Sequence, residues 1–343
     1  MENLMRNLLT IGIGFLLVYV STATSGYCIQ KLTIAYTGDT MGHVLPCGCS
    51  ISKGGLARRA GMISELRKKH KNFILLDAGD IFYNSKSIPE VRAEIILKGM
   101  VQMGYDAVTL GEGELSMGHP FLASQLKTMD LDFVSSNVQV YEENKALTLP
   151  YKIIELDGFT IGVTGAIPGI FLDESTKLNK NIKVNSPVEA LRKTVAVLEK
   201  KCRYIILLSH FGLAGTKNLL MYNDPGNISL AIIGHGRLLT QTPEKIGSTL
   251  IVQNSMEGES LGILTLNLDE SGKMLDYALE NIDLTEEVPE DKYLKEEMER
   301  FKIRKNKARV TERNRLEKEK TMEEQKEILQ LSPEAFLKRM KND

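Results

Sequence analysis

The chain has 343 residues, enough for one large domain with appendages or for two small domains. Its hydrophobic fraction of 43% and charged fraction of 25% are those of an ordinary globular protein. A net charge of −1, with no basic stripe carrying interleaved aromatics, excludes nucleic acid as the expected partner.

Residues 1–26 read as a secretory signal. Arg6 and the amino terminus precede the apolar stretch Leu8–Val20, and Ala23-Thr24-Ser25 offers a cleavage site. The stretch is short for a full membrane span. Contact with a membrane is therefore expected only through an uncleaved signal anchor or a lipid anchor. Ser25-Gly26-Tyr27-Cys28 has the outline of a lipoprotein box, although Tyr27 is too bulky for the residue before a lipidated cysteine. Export to the periplasm or cell envelope is the expectation.

From Lys31 to about Asp283 strands and helices alternate. Leu32–Tyr36, Phe73–Leu76, Ala107–Leu110, Tyr204–Leu208 and Ala231–Ile233 are short apolar runs of the buried-strand type. Gly55–Lys69 repeats apolar residues at helical spacing through Leu56, Ala60, Ile63 and Leu66, and Pro89–Met103 does so through Val91, Ile95, Ile96 and Met100. Pro187–Lys200 is a third helix, with Ser186 as N-cap and Pro187 in the first turn. Residues 149–166 and 248–269 read as strand pairs, the first turning at Asp157-Gly158. No internal repeat is visible. This alternation predicts an α/β fold, a two-sheet sandwich flanked by helices, over 31–284. Residues 285–343 form a tail rich in Glu, Lys and Arg, with sparse apolar residues such as Leu294, Met298, Phe301 and Leu316. Lacking a sustained heptad, it reads as a solvated helix or a disordered segment rather than a coiled coil. Ser332-Pro333-Glu334 opens a short amphipathic helix through Phe336, Leu337 and Met340.

Polar clusters follow the apolar runs: TGD (Thr37–Asp39), LLDAGD (Leu75–Asp80), LGEGEL (Leu110–Leu115), LLSHFG (Leu207–Gly212) and IIGHGR (Ile232–Arg237). In α/β sheets, strand ends bring distant side chains together on a ligand. Carboxylates with imidazoles suit a hard or borderline divalent metal. Of the five histidines, His70 ends a basic helix and reads as solvated, and His119 as a loop residue.

The cysteines are Cys28, Cys47, Cys49 and Cys202. Cys202 approaches a strand and reads as an inert core thiol. Cys47-Gly48-Cys49 follows Pro46 and precedes the polar loop Ser50–Gly55, so both thiols sit in a turn. A one-residue spacer strains any disulfide between them, which makes them redox candidates; a metal role and simple coexistence remain open. No Cys-x-x-Cys-His is present, so no covalent haem is expected.

Taken in order, the clusters resemble the metallophosphatase (calcineurin-like phosphoesterase) domain of the 5′-nucleotidase family over about Leu32–Leu268. GGLAR (Gly54–Arg58), MGYDAVTLG (Met103–Gly111), SSNV (Ser135–Val138) and LIVQ (Leu250–Gln253) add to the match. Pro46-Cys47-Gly48-Cys49 with Gly54–Arg59 looks like a divergent exported branch of it. The resemblance implies a four-layer α/β/β/α sandwich with a charged helical C-terminal tail. It also implies ligands for two metals, not all of which are present. Asp39 keeps the first aspartate, but Met41 stands at the first histidine. Asp80 keeps the bridging aspartate. Glu112 stands at the asparagine ligand, and Gly113 at the histidine that stabilises the transition state; the acidic partner of that histidine aligns with Ser116. His210 and His235 keep their ligand positions, and Arg237 replaces the last histidine.

One metal set, Asp80, Glu112, His210 and His235, thus stays intact, whereas the other keeps Asp39 and loses two of its members. The expectation is a single divalent ion (Zn, Mn or Fe), with Asp39 as a further metal candidate. Asp39, His43 and Arg237 are the catalytic candidates. Arg237, helped by Arg58 and Arg59, would offset phosphate charge in place of the missing ion. Glu114 and Asp77 are expected to support the backbone. Nucleotidases of the family carry a further C-terminal domain with an aromatic pair that stacks on the base; the charged tail here offers no such pair. The expected activity is hydrolysis of a small phosphoester. The alternative is a non-hydrolytic binding or redox protein that uses Cys47/Cys49 to meet an electron-transfer partner.

Overall fold

The computed structural model describes residues 30–82, 90–143, 145–169, 181–330 and Ser332. The expected signal, Cys28 and the short helix after Ser332 lie outside the described residues.

Alternation along single strands builds the layers. In β1 (Gln30–Thr37), Leu32, Ile34 and Tyr36 point between the two sheets, and Ala35 points under the helices. In β2 (Phe73–Asp77), Ile74 and Leu76 face inward while Phe73 and Leu75 face the helices. In β9 (Tyr204–Ser209), Ile206 and Leu208 enter the sandwich while Ile205 and Leu207 lie under the other helix layer. Strands covered on both faces need apolar residues at every position, which is why these runs are continuous.

One sheet has the order β14 (Met274–Asp283), β13 (Ser260–Leu268), β1, β2 and β3 (Ala107–Val108), with β1, β2 and β3 parallel. The second runs β11 (Glu244–Ile246), β12 (Thr249–Gln253), β10 (Leu230–Ile233), β9, β7 (Phe159–Ala166) and β6 (Lys152–Leu156), parallel from β12 to β7. A small sheet joins β5 (Lys145–Ala146), β4 (Val138–Glu142) and β8 (Ile182–Val184). Helices α1 (Leu56–Lys69) and α2 (Glu90–Met103) cover the first sheet. Two more helices, α3 (Glu112–Ser116) and α4 (His119–Thr128), follow β3. Helices α5 (Pro187–Leu198) and α6 (Gly212–Tyr222) cover the second sheet. The result is the four-layer α/β/β/α sandwich.

Three expectations change. Residues 248–269 do not form a strand pair. β12 pairs with β10 and β11, whereas β13 pairs with β1 and β14, so the loop between them carries the chain from one sheet to the other. Ser186 precedes α5, but its side chain makes no capping bond. Third, the packed core continues past Thr285. Helix α7 (Lys292–Gln330) buries Leu294, Met298 and Phe301 together with Leu284 and Val288 against the layer formed by α1 and α2. Gly61 in α1 permits this approach, because a Cβ there would lie 1.8 Å from the Pro289 carbonyl oxygen. Farther along, Ile303, Val310, Leu316 and Met322 are exposed. The first turns of α7 therefore belong to the domain, and the remainder is the solvated charged helix. Accordingly, Phe301→Ala should lower the stability of the full chain in urea by about 3 kcal/mol, as for a large core truncation. Leu316→Ala should change it by less than about 0.5 kcal/mol.

Candidate metal centre

Four ligand-type side chains leave the carboxyl ends of parallel strands in both sheets. Asp80 lies in the turn after β2, Glu112 opens α3 after β3, His210 directly follows β9, and His235 follows β10. Their donor atoms all lie within 4.8 Å of one another. Glu112 links the two imidazoles: Oε2 is 2.8 Å from His210 Nε2, and Oε1 is 2.8 Å from His235 Nδ1. His210 Nε2 is also 3.5 Å from Asp80 Oδ1. The two rings meet edge-on, with centroids 5.4 Å apart. Asp80 and His210 are buried, whereas the His235 side chain is 43% exposed, so the centre opens to solvent on that side.

His210 shows that this set fits a cation. Its Nδ1 lies 2.8 Å from the Ala78 carbonyl oxygen, which can only accept, so Nδ1 carries a proton. Nε2 then faces two carboxylates, and a bare lone pair there would meet only acceptors. A proton or a metal ion must stand between them. Burial by itself would push His210 down, but Asp80 and Glu112 together hold its imidazole well above the usual range. Burial works against ionisation of Glu112 too, yet its contacts with His210 and His235 keep that carboxyl well below the ordinary value. Glu112 likewise raises His235. Two imidazoles and two carboxylates suit Zn²⁺, Mn²⁺ or Fe²⁺. Three glycines make room for the His210 ring. A Cβ on Gly111 would lie 2.7 Å from Nε2, and one on Gly79 or Gly234 within 2.9 Å or 2.7 Å of Nδ1. The glycines stand in the same motifs as the ligands, a signal the sequence reading passed over.

A second set of groups holds these loops. Glu114 accepts the backbone N–H groups of Asp80 (3.0 Å), Phe82 (3.0 Å) and Gly111 (2.7 Å). Burial and the Asp80 charge push it up to about 8. Asp77 accepts from the Thr37 hydroxyl at 2.6 Å and from Gly79 N–H at 2.9 Å, and burial pushes it up to about 6. Asp39, at the end of β1, accepts the N–H groups of His235 (2.9 Å) and Gly236 (3.0 Å), which ties the His235 loop across the sandwich. Burial raises the Asp39 carboxyl, while the His210 charge pulls it down. Asp39, Asp80 and His235 all have positive φ, of 51°, 55° and 60°. Such backbone is uncommon for residues other than glycine and clusters at functional sites.

The other candidates are not members of this four-residue cluster. His43 is exposed and sits 3.9 Å from Glu257. Arg237 is exposed, two residues beyond His235. Arg58 is buried and donates to the Ser52 and Leu284 carbonyl oxygens, and Arg59 is fully buried beside Tyr105 and Asp77. Both arginines are therefore structural, contrary to the expected help with phosphate. His70 is half-buried, with Nδ1 3.1 Å from the Thr33 hydroxyl, rather than simply solvated. His119 begins α4, and its Nε2 contacts the Tyr141 carbonyl oxygen. Cys202 is a half-buried free thiol against the outer core of the second sheet. Cys47 and Cys49 are free thiols as well. A hydrogen bond from the Cys49 thiol, with the Lys53 N–H, lowers Cys47, while Cys49 is correspondingly raised. Glu259 lies close to both, and no local pattern in the sequence points to it.

No family model matches the chain. It is 28% identical over 314 residues to the trifunctional nucleotide phosphoesterase protein YfkN of Bacillus subtilis, covering 80% of this chain and 21% of that protein. It is 26% identical over 330 residues to a snake venom 5′-nucleotidase of Gloydius brevicauda, covering 86% of this chain and 55% of that protein. The solved 5′-nucleotidase precursor of Thermus thermophilus matches with a TM-score of 0.68 at 27% identity, covering 78% of this chain and 57% of the other. The chain thus spans between about a fifth and about half of the length of these curated relatives.

Each imidazole must be neutral to ligate, giving up the proton on its ligating nitrogen while His210 keeps the one on Nδ1. Because Glu112 and Asp80 raise both rings, metal affinity should rise with pH through and above the ordinary histidine range, with about two protons released per ion. Titration calorimetry with Mn²⁺ in buffers of different ionisation enthalpy reads both quantities. Glu112→Gln, which removes the charge between the rings, should weaken Mn²⁺ binding by about tenfold or more.

Proposed function

We infer, for a chain whose homologues and structural neighbours are 5′-nucleotidases and calcineurin-like phosphoesterases, an exported phosphoester hydrolase working with one metal ion. The observation that carries this reading is the convergence of Asp80, Glu112, His210 and His235, a complete ligand set for one ion. When bound, such an ion supplies Lewis-acid polarisation and an acidified water. Four protein donors fill a tetrahedral shell, so an ion that accepts five or six ligands, Mn²⁺ or Fe²⁺, suits turnover better than Zn²⁺.

The second ion's position is altered in ways that favour one metal. Met41 and Arg237 offer no ligand suited to a divalent ion, and both Asp39 oxygens accept backbone amides. Arg237, exposed and two residues beyond His235, would supply a guanidinium suited to a phosphoryl group. At Gly113, a Cβ would lie 2.1 Å from the Phe82 carbonyl oxygen, so the backbone there has closed over the space for a side chain. Gly113 N–H donates instead to Asp80 Oδ1 at 2.8 Å. Without an imidazole at that place, hydrolysis is expected to be slow, by a few powers of ten relative to a complete two-metal site. The same closure favours a second reading, a scaffold that binds a phosphoester without turning it over. Export rests on the apolar stretch Leu8–Val20 and its flanks.

The test is hydrolysis of p-nitrophenyl phosphate and of bis-p-nitrophenyl phosphate by the Mn²⁺-loaded chain. Slow turnover that falls at least about a hundredfold in His210→Ala supports the hydrolase. Metal-dependent binding of phosphate with no turnover supports the second reading, and turnover unchanged in His210→Ala contradicts the site. Gly113→His should not raise the rate, since its Cβ collides with backbone; a gain would show that the loop opens freely.

A further inference from the structure

A second cluster of ligand atoms lies outside that centre. The Cys47 and Cys49 sulfurs and a Glu259 carboxylate oxygen all lie within 4.8 Å of one another. We propose that Cys47, Cys49 and Glu259 form a separate thiolate site for Zn²⁺, sharing no ligand with the carboxylate–imidazole centre.

The case rests first on how the turn is held. Cys47 N–H donates to the Lys53 carbonyl oxygen at 2.8 Å, which closes the loop, and Lys53 N–H points at Cys47 Sγ from 3.4 Å. An N–H aimed at sulfur favours the thiolate, the form that binds metal. Pro46 packs on Gly55, whose φ is +99° and where a Cβ would lie 2.9 Å from the proline ring. Arg58 fixes the far side of the loop through the Ser52 carbonyl oxygen at 2.8 Å.

Both halves of the site then hang on one short segment, Asp283-Leu284. Leu284 accepts the Gly54 N–H at 2.9 Å and donates its own N–H to the Glu259 carbonyl oxygen at 2.9 Å. Lys53 Nζ pairs with Asp283 at 2.5 Å. The carboxylate is thus brought to the thiols by the fold rather than by sequence proximity. Two donors on one tetrahedral zinc stand about 3.8 Å apart, so small side-chain rotations bring the three groups to bonding distance. Soft sulfur donors select zinc over Mn²⁺ and Mg²⁺, which sets this site apart chemically from the other.

Binding forms two Zn–S bonds and one Zn–O bond. The two thiol protons pass to solvent, and no electrons move. Three protein ligands leave the fourth position to water. Beside Cys47 lies a groove of about 470 Å³, with His43 and Glu257 on its rim.

The experiment uses the full reduced chain and Zn²⁺ in competition with a chromophoric chelator. Wild type should bind two ions, Cys47→Ser/Cys49→Ser one, and His210→Ala one. Glu259→Gln should weaken the thiolate site by about tenfold or more. Co²⁺ added to wild type should give thiolate-to-cobalt charge-transfer absorption that is retained in His210→Ala and absent from the double cysteine variant. Equal zinc binding by wild type and the double cysteine variant would overturn the proposal, as would a cobalt spectrum lacking that absorption. Loss of only the His210-dependent ion would count against the first centre and leave this one standing.

Discussion

The Glu112 carboxylate, bonded at once to His210 and His235, is the contact on which the arrangement depends. Asp80 and Glu112 come from the first sheet, and the two imidazoles come from the second. Negative and positive groups therefore face each other across the carboxyl ends of the sandwich. Removing either side would leave charges in a poorly solvated place, a cost of several kcal/mol for a buried pair that loses one partner. The same balance makes the cluster receptive to a divalent ion, which can replace the imidazole protons without leaving carboxylates exposed to each other.

Two buried carboxyl groups hold this centre without joining it. Glu114 gathers the amides of Asp80, Phe82 and Gly111, and Asp39 gathers those of His235 and Gly236. Each thereby fixes a loop that carries ligands, and Asp39 does so from the opposite sheet. This explains how an aspartate at the end of β1 keeps a place in the site even though it lies outside the four-residue cluster. The glycines around His210 do the complementary work, since any side chain at Gly79, Gly111 or Gly234 would enter the volume of the ring.

Much of this was legible beforehand, for physical reasons. Strands buried on both faces leave continuous apolar runs, so Leu32–Tyr36 and Tyr204–Leu208 stand out, and ligands placed at strand ends follow directly. What escaped was partnership across the sandwich. Residues 248–269 contain two strands, as read, but nothing local says that β12 and β13 join different sheets. Leu294, Met298 and Phe301 recur at helical spacing on one face, a buried stripe obscured by the surrounding charge. The burial of Arg58 and Arg59 was hidden because an arginine beside a predicted phosphate site reads equally well as a ligand. Glu259 had no neighbour in sequence to mark it; the shared anchor at Asp283-Leu284 and the close approach of Gly54 to the Gly258–Glu259 backbone bring it to the thiols.

The central claim is one ion held by both sheets. It is tested most directly by anomalous diffraction at the manganese edge from crystals of the chain grown with Mn²⁺, an ion that oxygen and imidazole hold better than thiolate. The account predicts one peak among Asp80, Glu112, His210 and His235, and none beside Asp39 and Met41. Two peaks roughly 3.5–4 Å apart, as in two-metal hydrolases, would contradict it, as would no density among the four side chains at saturating metal.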